Sequence, residues 1–535
     1  MRAAPHGYEE FGEAVTLAEA IALRAAWTPN RAFLVDITNG RALTYGEAHE
    51  LFLTWADALR RLGVSPGDRV AVMLPNSMEA AAAWLGTGWI RGYEVPLNTA
   101  FRGYMLEYML QNSGASTAIV AERYLDRIAE VADNVPELRT VVVPDVRGGS
   151  DALAGGRVRV IGSQELLHGA RPATDLTPPA PWDVMTIAYT SGTTGPSKGV
   201  VVPWGMMILG AGLMDDLTSD DAIYGAFPMF HMSGKGMIGQ AAYMGGRDVY
   251  RETFDTGSFW DDIDEHDCTF ALVVPAMAHW LLSQPPSDDD RGHSLKHAIL
   301  SPIIHAFGER FGVTMRTHYG MTEAGNVTSR RLVTDESPSC GTPRPGYEVR
   351  IVDQHDYEVP VGEVGELVVR TDQPWWTATA YWDMSEKTNE LWRNGWLHTG
   401  DGFRRDEAGS YYFVDRQKDA IRRRGENISS FEVEKIVLQH EAIAECAAIA
   451  VSTDAGEQEV KVCIVAREGA SVDPEVLIGF LIPRMPRFMI PRFVEVLDSL
   501  PKTEATMRVQ KVKLREDPLN DQTWDREAAG IIVPK

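Results

Sequence analysis

Val184–Val200 reads VMTIAYTSGTTGPSKGV. The largely apolar run VMTIAYT predicts a buried strand, and it leads without a break into a segment of glycines, hydroxyls and one lysine. A loop at the end of such a strand presents backbone amides where ligands bind in open α/β sheets. Gly192, Gly195 and Gly199 permit positive φ and close backbone approach. Thr190, Ser191, Thr193 and Thr194 supply hydroxyl donors, and Lys198 supplies a flexible positive charge suited to phosphate oxygens. The spacing is not that of the GxxxxGK[ST] phosphate loop, because Ser197 precedes Lys198 and Gly199 follows it. A Gly/Ser/Thr-rich run also serves as an ordinary surface loop. The strand running into this one favours a phosphate grip.

Three further stretches carry polar groups suited to a nucleotide. Thr317–Gly325 reads THYGMTEAG: the Tyr319 ring offers a flat face for a base, the Thr322 hydroxyl a donor for phosphate, and the Glu323 carboxylate a ligand for Mg²⁺ bound to phosphates. The plainer readings are core packing for Tyr319 and a helix start at Thr322 and Glu323. Gly395–Asp401 reads GWLHTGD, where Asp401 between Gly400 and Gly402 suits hydrogen bonding to a ribose diol. Val414–Glu434 reads VDRQKDAIRRRGENISSFEVE, and its DRQKD charge run fits a solvated face or a linker between domains.

Composition sets the frame. A chain of 535 residues exceeds what one hydrophobic core usually serves, so two or more domains are expected. The formal charge of −24 argues against nucleic acid or an anionic membrane as main partner, leaving clusters such as Lys198 and Arg422–Arg424 to draw small anions. Cys268, Cys340, Cys446 and Cys463 form no CxxC pair, which speaks against a disulfide scaffold or a zinc site and for buried thiols in a reducing compartment. The longest apolar run, Ala80–Ile90, is too short to span a bilayer, and no signal peptide opens the chain, so a cytoplasmic protein is expected.

Along the chain, AVML, a turn at Pro75 and Asn76, and a helix through Trp84 and Leu85 follow βα-unit grammar. From Gly341 to Arg370 short alternating strands imply an antiparallel, barrel-like piece. After Val414 the chain mixes a helix in SSFEVEKIVLQH with strands in AAIAV and VKVCIVA. The expected architecture is α/β: a large N-terminal domain over 1–415, built of βα units plus the barrel-like piece, and a small α+β C-terminal domain over 416–535.

The four motifs, in this order, resemble the adenylate-forming superfamily of acyl-CoA synthetases, adenylation domains and luciferases. The resemblance covers nearly the whole chain and extends to PMFHMSG, GTPRPGYEVRIVD, GEVGELVVR and the tail LPKTEATMRVQKVKLR. The wording RRRGENISSFEVE is most similar to crotonobetaine/carnitine-CoA ligases. The resemblance implies ATP, Mg²⁺ and coenzyme A, a small-molecule carboxylic acid as substrate, and a C-terminal domain acting as a mobile lid. Carried over by position, Thr190–Gly195 and Lys198 hold phosphates, and His318, Tyr319, Gly320 and Met321 border the adenine, with Tyr319 stacking on it. Thr322 and Glu323 act in catalysis, Glu323 as the metal ligand. Asp401 and Arg416 hold the ribose, Lys418 is the hinge, Gly425 lines the pantetheine tunnel, and His231 borders the acyl pocket.

Two departures stand out. LSPII, Leu300–Ile304, replaces a GGAP loop beside the substrate, and TMRVQK replaces TGKVQK, which puts Arg508 where the family carries its adenylating lysine. The implied activity is carboxylate–CoA ligation through an acyl-adenylate. A stand-alone enzyme loading a carrier protein and a nucleotide-binding homologue without catalysis are the alternatives, and a monomer and a homodimer are both open. Trp375, Trp376 and Tyr381 invite comparison with an aromatic cage for a quaternary ammonium, although packing is the preferred reading. Lys235 is expected to meet a second carboxylate or point to solvent.

Overall fold

A computed structural model describes residues 11, 15–146, 153, 157–190, 196–214, 216–335, 337–416, 420–424, 426–453, 457–502 and 509–534. The chain forms two compact units. One comprises Met1–Thr99, Met109–Tyr189 and Gly199–Asp415, the other Ala100–Tyr108, Thr190–Lys198 and Arg416–Lys535.

The first unit is built on two large sheets. In the eight-stranded sheet, Val184–Thr190, Tyr93–Pro96, Arg69–Met73, Thr117–Val120, Thr140–Val143 and Arg159–Gly162 are neighbours in that order. The printed registers among them are parallel. Their near-continuous burial is what a parallel sheet covered on both faces demands. Lys198–Pro203 and Ala380–Tyr381 complete the opposite edge, the latter pair antiparallel. The nine-stranded sheet is parallel through its centre, and Gly325–Arg330 and Thr342–Pro343 close one edge antiparallel. A curled antiparallel sheet of Tyr347–Val352, Gly365–Thr371, Leu397–Arg405 and Tyr411–Arg416 supplies the half-barrel piece. Sequence pattern anticipated it because its strands alternate between buried and partly exposed positions.

Local chemistry sets the helix ends. Thr44 and Glu47 form a reciprocal capping box at the start of Tyr45–Leu62, and Gly63 at φ 101° ends it in the left-handed conformation. Ser77 caps Met78–Trp89 by accepting from the Ala80 N–H. That second helix is buried nearly all round, and its Trp84 stacks on Trp204 with centroids 6.1 Å apart. Gly88 has no side chain because the Trp204 ring lies where one would begin, 2.2 Å from an added Cβ.

The second unit carries the antiparallel ribbon Ile443–Ser452 and Gln458–Ala466, extended by Phe493–Val496 and Trp524–Asp525. The helices Ser430–Val437 and Pro474–Leu481 contribute Val433, Ile436, Leu477 and Ile478 to a core shared with residues of this ribbon. The architecture is therefore α/β with a small α+β portion. No described helix is long and apolar enough to cross a membrane. Cys268, Cys446 and Cys463 are buried free thiols, and Cys340 is partly buried.

Candidate active site

The strand Thr314–Met321 turns at Thr322–Ala324 and returns as Gly325–Arg330, so THYGMTEAG is a strand–turn–strand and the alternative of a helix start does not hold. The register shifts between Tyr319 and Gly320, a bulge that re-aims the side chains around it. Gly320 is required there, since a Cβ would lie 2.7 Å from both the Gly325 carbonyl and Asn326 Oδ1. His318 is pinned through its backbone: its N–H donates to Ser301 Oγ at 3.1 Å, and its carbonyl accepts from the same hydroxyl at 2.8 Å. Met321 packs its sulfur 3.8 Å from the Tyr319 hydroxyl.

The turn and the half-barrel meet through Tyr319. Its hydroxyl donates to Asp401 Oδ2 at 2.7 Å, and its ring lies edge-on to Phe403 at 4.7 Å. Asp401 is buried on the strand Leu397–Arg405. Its N–H donates to Thr399 Oγ1, and the preceding Gly400 N–H donates to Glu366 Oε1 at 2.8 Å. A carboxylate has about four acceptor positions, so the Tyr319 bond leaves acceptor capacity for a diol.

Glu323 is buried, and its Oε1 accepts from the Tyr381 hydroxyl at 2.8 Å. Its carbonyl accepts from the Ala378 N–H at 2.9 Å. Burial and the neighbouring carboxylate push the Tyr381 phenol far up, so it stays a donor. Tyr381 in turn pairs with Val200, and the Trp382 N–H donates to the Gly199 carbonyl at 2.7 Å. The strand leaving the Gly/Ser/Thr-rich loop is thus stitched to the residue that holds Glu323. Thr322 occupies the turn itself, half-buried.

His231 is the residue before the helix Met232–Met244, with its ring against Phe230 at 4.7 Å. Asn76 fixes the approach: its Oδ1 accepts from the Met229 N–H, and its amide donates to the carbonyls of Phe227 and Arg251. One turn further on, Lys235 neither points to solvent nor awaits a ligand. It is fully buried, 2.8 Å from Glu94 Oε1 and 4.5 Å above the Trp84 ring. Desolvation holds the Glu94 carboxyl up and the Lys235 ammonium down, each opposed by the partner's charge.

Within the second unit, Glu432 Oε1 accepts from the Ser197 N–H at 3.0 Å and from the Ser197 hydroxyl. Burial raises this carboxyl to about 7. Thr190 ends the strand Val184–Thr190, Lys198 opens Lys198–Pro203, and Arg416 ends Tyr411–Arg416. Ser191, Gly192, Thr193, Thr194, Gly195, Lys418, Gly425 and Arg508 lie outside the described residues.

Sequence reasoning missed Tyr381 as the partner of Glu323, as well as Glu432, Asn76 and Glu94. Each acts through a contact with a distant stretch of chain, for which no local signal exists. The aromatic-cage alternative gains nothing: Trp376 and Tyr381 belong to the core cluster, and Trp375 is exposed.

Residues 21–382 match the family model for AMP-binding enzymes, and residues 432–506 match that for the AMP-binding enzyme C-terminal domain. A crotonobetaine/carnitine–CoA ligase of Shigella flexneri is 30% identical over 475 residues, covering 86% of this chain and 90% of that protein. ATP-bound MatB from Rhodopseudomonas palustris is 27% identical with a TM-score of 0.66, covering 93% of this chain and 98% of that one. An o-succinylbenzoate CoA synthetase double mutant from Bacillus subtilis, with its product analogue bound, shares the fold at a TM-score of 0.79 and 24% identity, over 93% of this chain and 98% of that one.

Proposed function

This chain belongs to the AMP-binding enzymes, and from that premise we propose that it is an ATP-dependent carboxylate–CoA ligase. A carboxylate oxygen attacks the α-phosphorus of ATP and pyrophosphate leaves. The thiol sulfur of coenzyme A then attacks the acyl carbon, and AMP leaves as the thioester forms. The first step is needed because oxide is a poor leaving group and AMP a good one.

The observation that carries the reading is the bonded set Tyr319–Asp401 and Glu323–Tyr381, which brings three sequence motifs together in one unit. In this reading Asp401 and Arg416 receive the ribose and Tyr319, braced at its hydroxyl, offers its ring to adenine, with His318, Gly320 and Met321 around it. Thr322, Lys198 and the hydroxyls and amides of Thr190–Gly195 neutralise and orient phosphates, since phosphoryl transfer asks chiefly for positioning and charge. Arg508 bridges the carboxylate and the α-phosphate, His231 borders the acyl group, Lys418 is the hinge, and Gly425 lines the pantetheine path. The lid domain begins at Arg416.

Glu323 fits a Mg²⁺ site of the kind completed by substrate. Among the described residues no cluster of three or more His, Cys, Asp or Glu could hold a metal alone, and Mg²⁺ in nucleotide sites takes one or two carboxylates plus phosphate oxygens and water. The ion would neutralise phosphate charge; Tyr381 holds the carboxylate that receives it. The buried free thiols fit a reducing, cytoplasmic setting.

The test is pyrophosphate release from ATP with a panel of carboxylic acids, followed by thioester analysis with coenzyme A or a phosphopantetheinylated carrier protein as acceptor. Acid-dependent release and an acyl-CoA product are expected. A thioester on the carrier alone would shift the reading to a carrier-loading enzyme, and no acid-dependent release would end it.

A further inference from the structure

A cavity of about 440 Å³ lies at the edge of the nine-stranded sheet, walled by the ends of the strands Gly325–Arg330 and Thr342–Pro343 and by Gly212. Its lining includes the guanidinium-bearing residues Arg330, Arg331 and Arg344 and the hydroxyl-bearing Ser329, Thr342 and Ser410, and no Asp or Glu. In a chain of formal charge −24 such a lining runs against the average.

The arginines are placed by the backbone around them. Arg344 is 4% exposed, and its Nη1 donates to the Asn326 carbonyl at 2.7 Å. Gly212 makes room for it: an added Cβ there would lie 2.9 Å from Arg344 Nη2. Gly341, at φ 90°, lets the Thr342–Pro343 strand close on Ser329, whose carbonyl would be 2.0 Å from any Cβ.

The nearby carboxylates do not cancel this charge. Arg330 forms a two-point pair with Asp335, and Asp216 is held by both Arg316 nitrogens at 2.7 Å while feeling Arg331 as well. Arg316, Arg330, Arg331 and Arg344 therefore stand against Asp216 and Asp335, four cations to two anions. A guanidinium presents five N–H donors, so these pairings do not exhaust its capacity for an oxyanion.

The cavity also lies close to the reactive turn. Asn326, the residue Arg344 grips, is three positions beyond Glu323, at most about 10 Å of extended chain. The adjoining Tyr347 hydroxyl donates to the Ala324 carbonyl at 2.7 Å. One short segment, Arg344–Tyr347, thus braces the turn and lines the cavity together.

Resting on the ligase reading, we propose that this cavity receives the far end of the acyl substrate, and that the acid activated by this enzyme carries a second carboxylate. A quaternary ammonium, the opposite charge, is excluded by the same lining.

The experiment measures pyrophosphate release with ATP for straight-chain monocarboxylic acids, dicarboxylic acids of matched length, and an acid ending in a trimethylammonium group. It uses the full-length wild type, Arg331→Gln and Arg344→Gln. The wild type should prefer the diacid at its best length by about 10- to 100-fold in kcat/KM, the worth of a charge-assisted hydrogen bond. The variants should lose that preference through KM while keeping the monoacid rate. Arg331 is exposed, so its variant decides the matter if Arg344→Gln does not fold. Turnover with monoacids or the trimethylammonium acid favoured at every length overturns the proposal and leaves the ligase reading standing. So do variants that slow diacid and monoacid equally. Release with no acid at all removes the ligase reading, and the proposal with it.

Discussion

The Glu323 carboxylate and the Tyr381 phenol define what single side chains contribute. A glutamine at 323 can still accept from the Tyr381 hydroxyl, so Glu323→Gln should melt within a few degrees of the wild type. It should nonetheless release pyrophosphate about 100-fold more slowly at limiting Mg²⁺, the usual scale for removing one electrostatic group from a reacting centre. Titrating Mg²⁺ in that assay checks the assignment, and a wild-type response would remove it. The Lys235–Glu94 pair makes a different prediction. Leaving one buried charge without its partner costs about 3–5 kcal/mol, so Glu94→Gln and Lys235→Met should each lower Tm by several degrees. The double variant should recover most of the loss. Thermal melts of all three decide it, and losses that simply add would show the two charges to be uncoupled. Neither pairing was legible in the sequence. Lys235 reads as a surface residue until Glu94, on another strand, arrives beside it, and Tyr381 reads as one aromatic among several.

Elements were legible where their signal was local. VMTIAYT gave a strand because an apolar run of that length ends at a glycine-rich stretch, and the Met78–Trp89 helix followed from its alanines and a turn at Pro75 and Asn76. The turn at Thr322–Ala324 was ambiguous because Thr and Glu begin helices and populate turns alike. Its outcome is set by pairing of Tyr319 with Thr328, which no window of sequence contains. The helix Ser430–Val437 carries a pH prediction of its own. Glu432 on this helix has a carboxyl raised from 4.5 to about 7. A carboxyl raised on folding favours the folded state fully below its unfolded value, and that contribution is lost as pH rises through the folded one. The difference is on the order of 3 kcal/mol. Between pH 5 and 8 the wild type should therefore lose more Tm than Glu432→Gln, which cannot ionise there. Parallel curves for the two would show that the carboxyl is solvated.

For the whole molecule, the order of motifs along the chain made the family and the α/β architecture readable, because each motif sits where a strand ends. The arginine-lined cavity was not readable. Its walls come from separate stretches, and the net charge points the other way. Arg508 poses a question that spans the whole reaction. A guanidinium keeps the positive charge but differs in shape and reach from an ammonium. Arg508→Ala should lose adenylation by about 100-fold while still forming thioester from supplied acyl-adenylate, and Arg508→Lys should adenylate at least as well as the wild type. Pyrophosphate release and thioester formation, measured separately, test this, and normal adenylation by Arg508→Ala would refute it. The buried Lys235–Glu94 contact also has a consequence for sequence drift. It joins the strand Tyr93–Pro96 of one large sheet to the helix Met232–Met244, which follows a strand of the other. Neither charge can be exchanged first without passing through a weakened protein. Lineages descended from this chain should accordingly keep both residues or lose both, and a lysine at 235 facing an apolar residue at 94 should be a short-lived ancestor, seldom a surviving descendant.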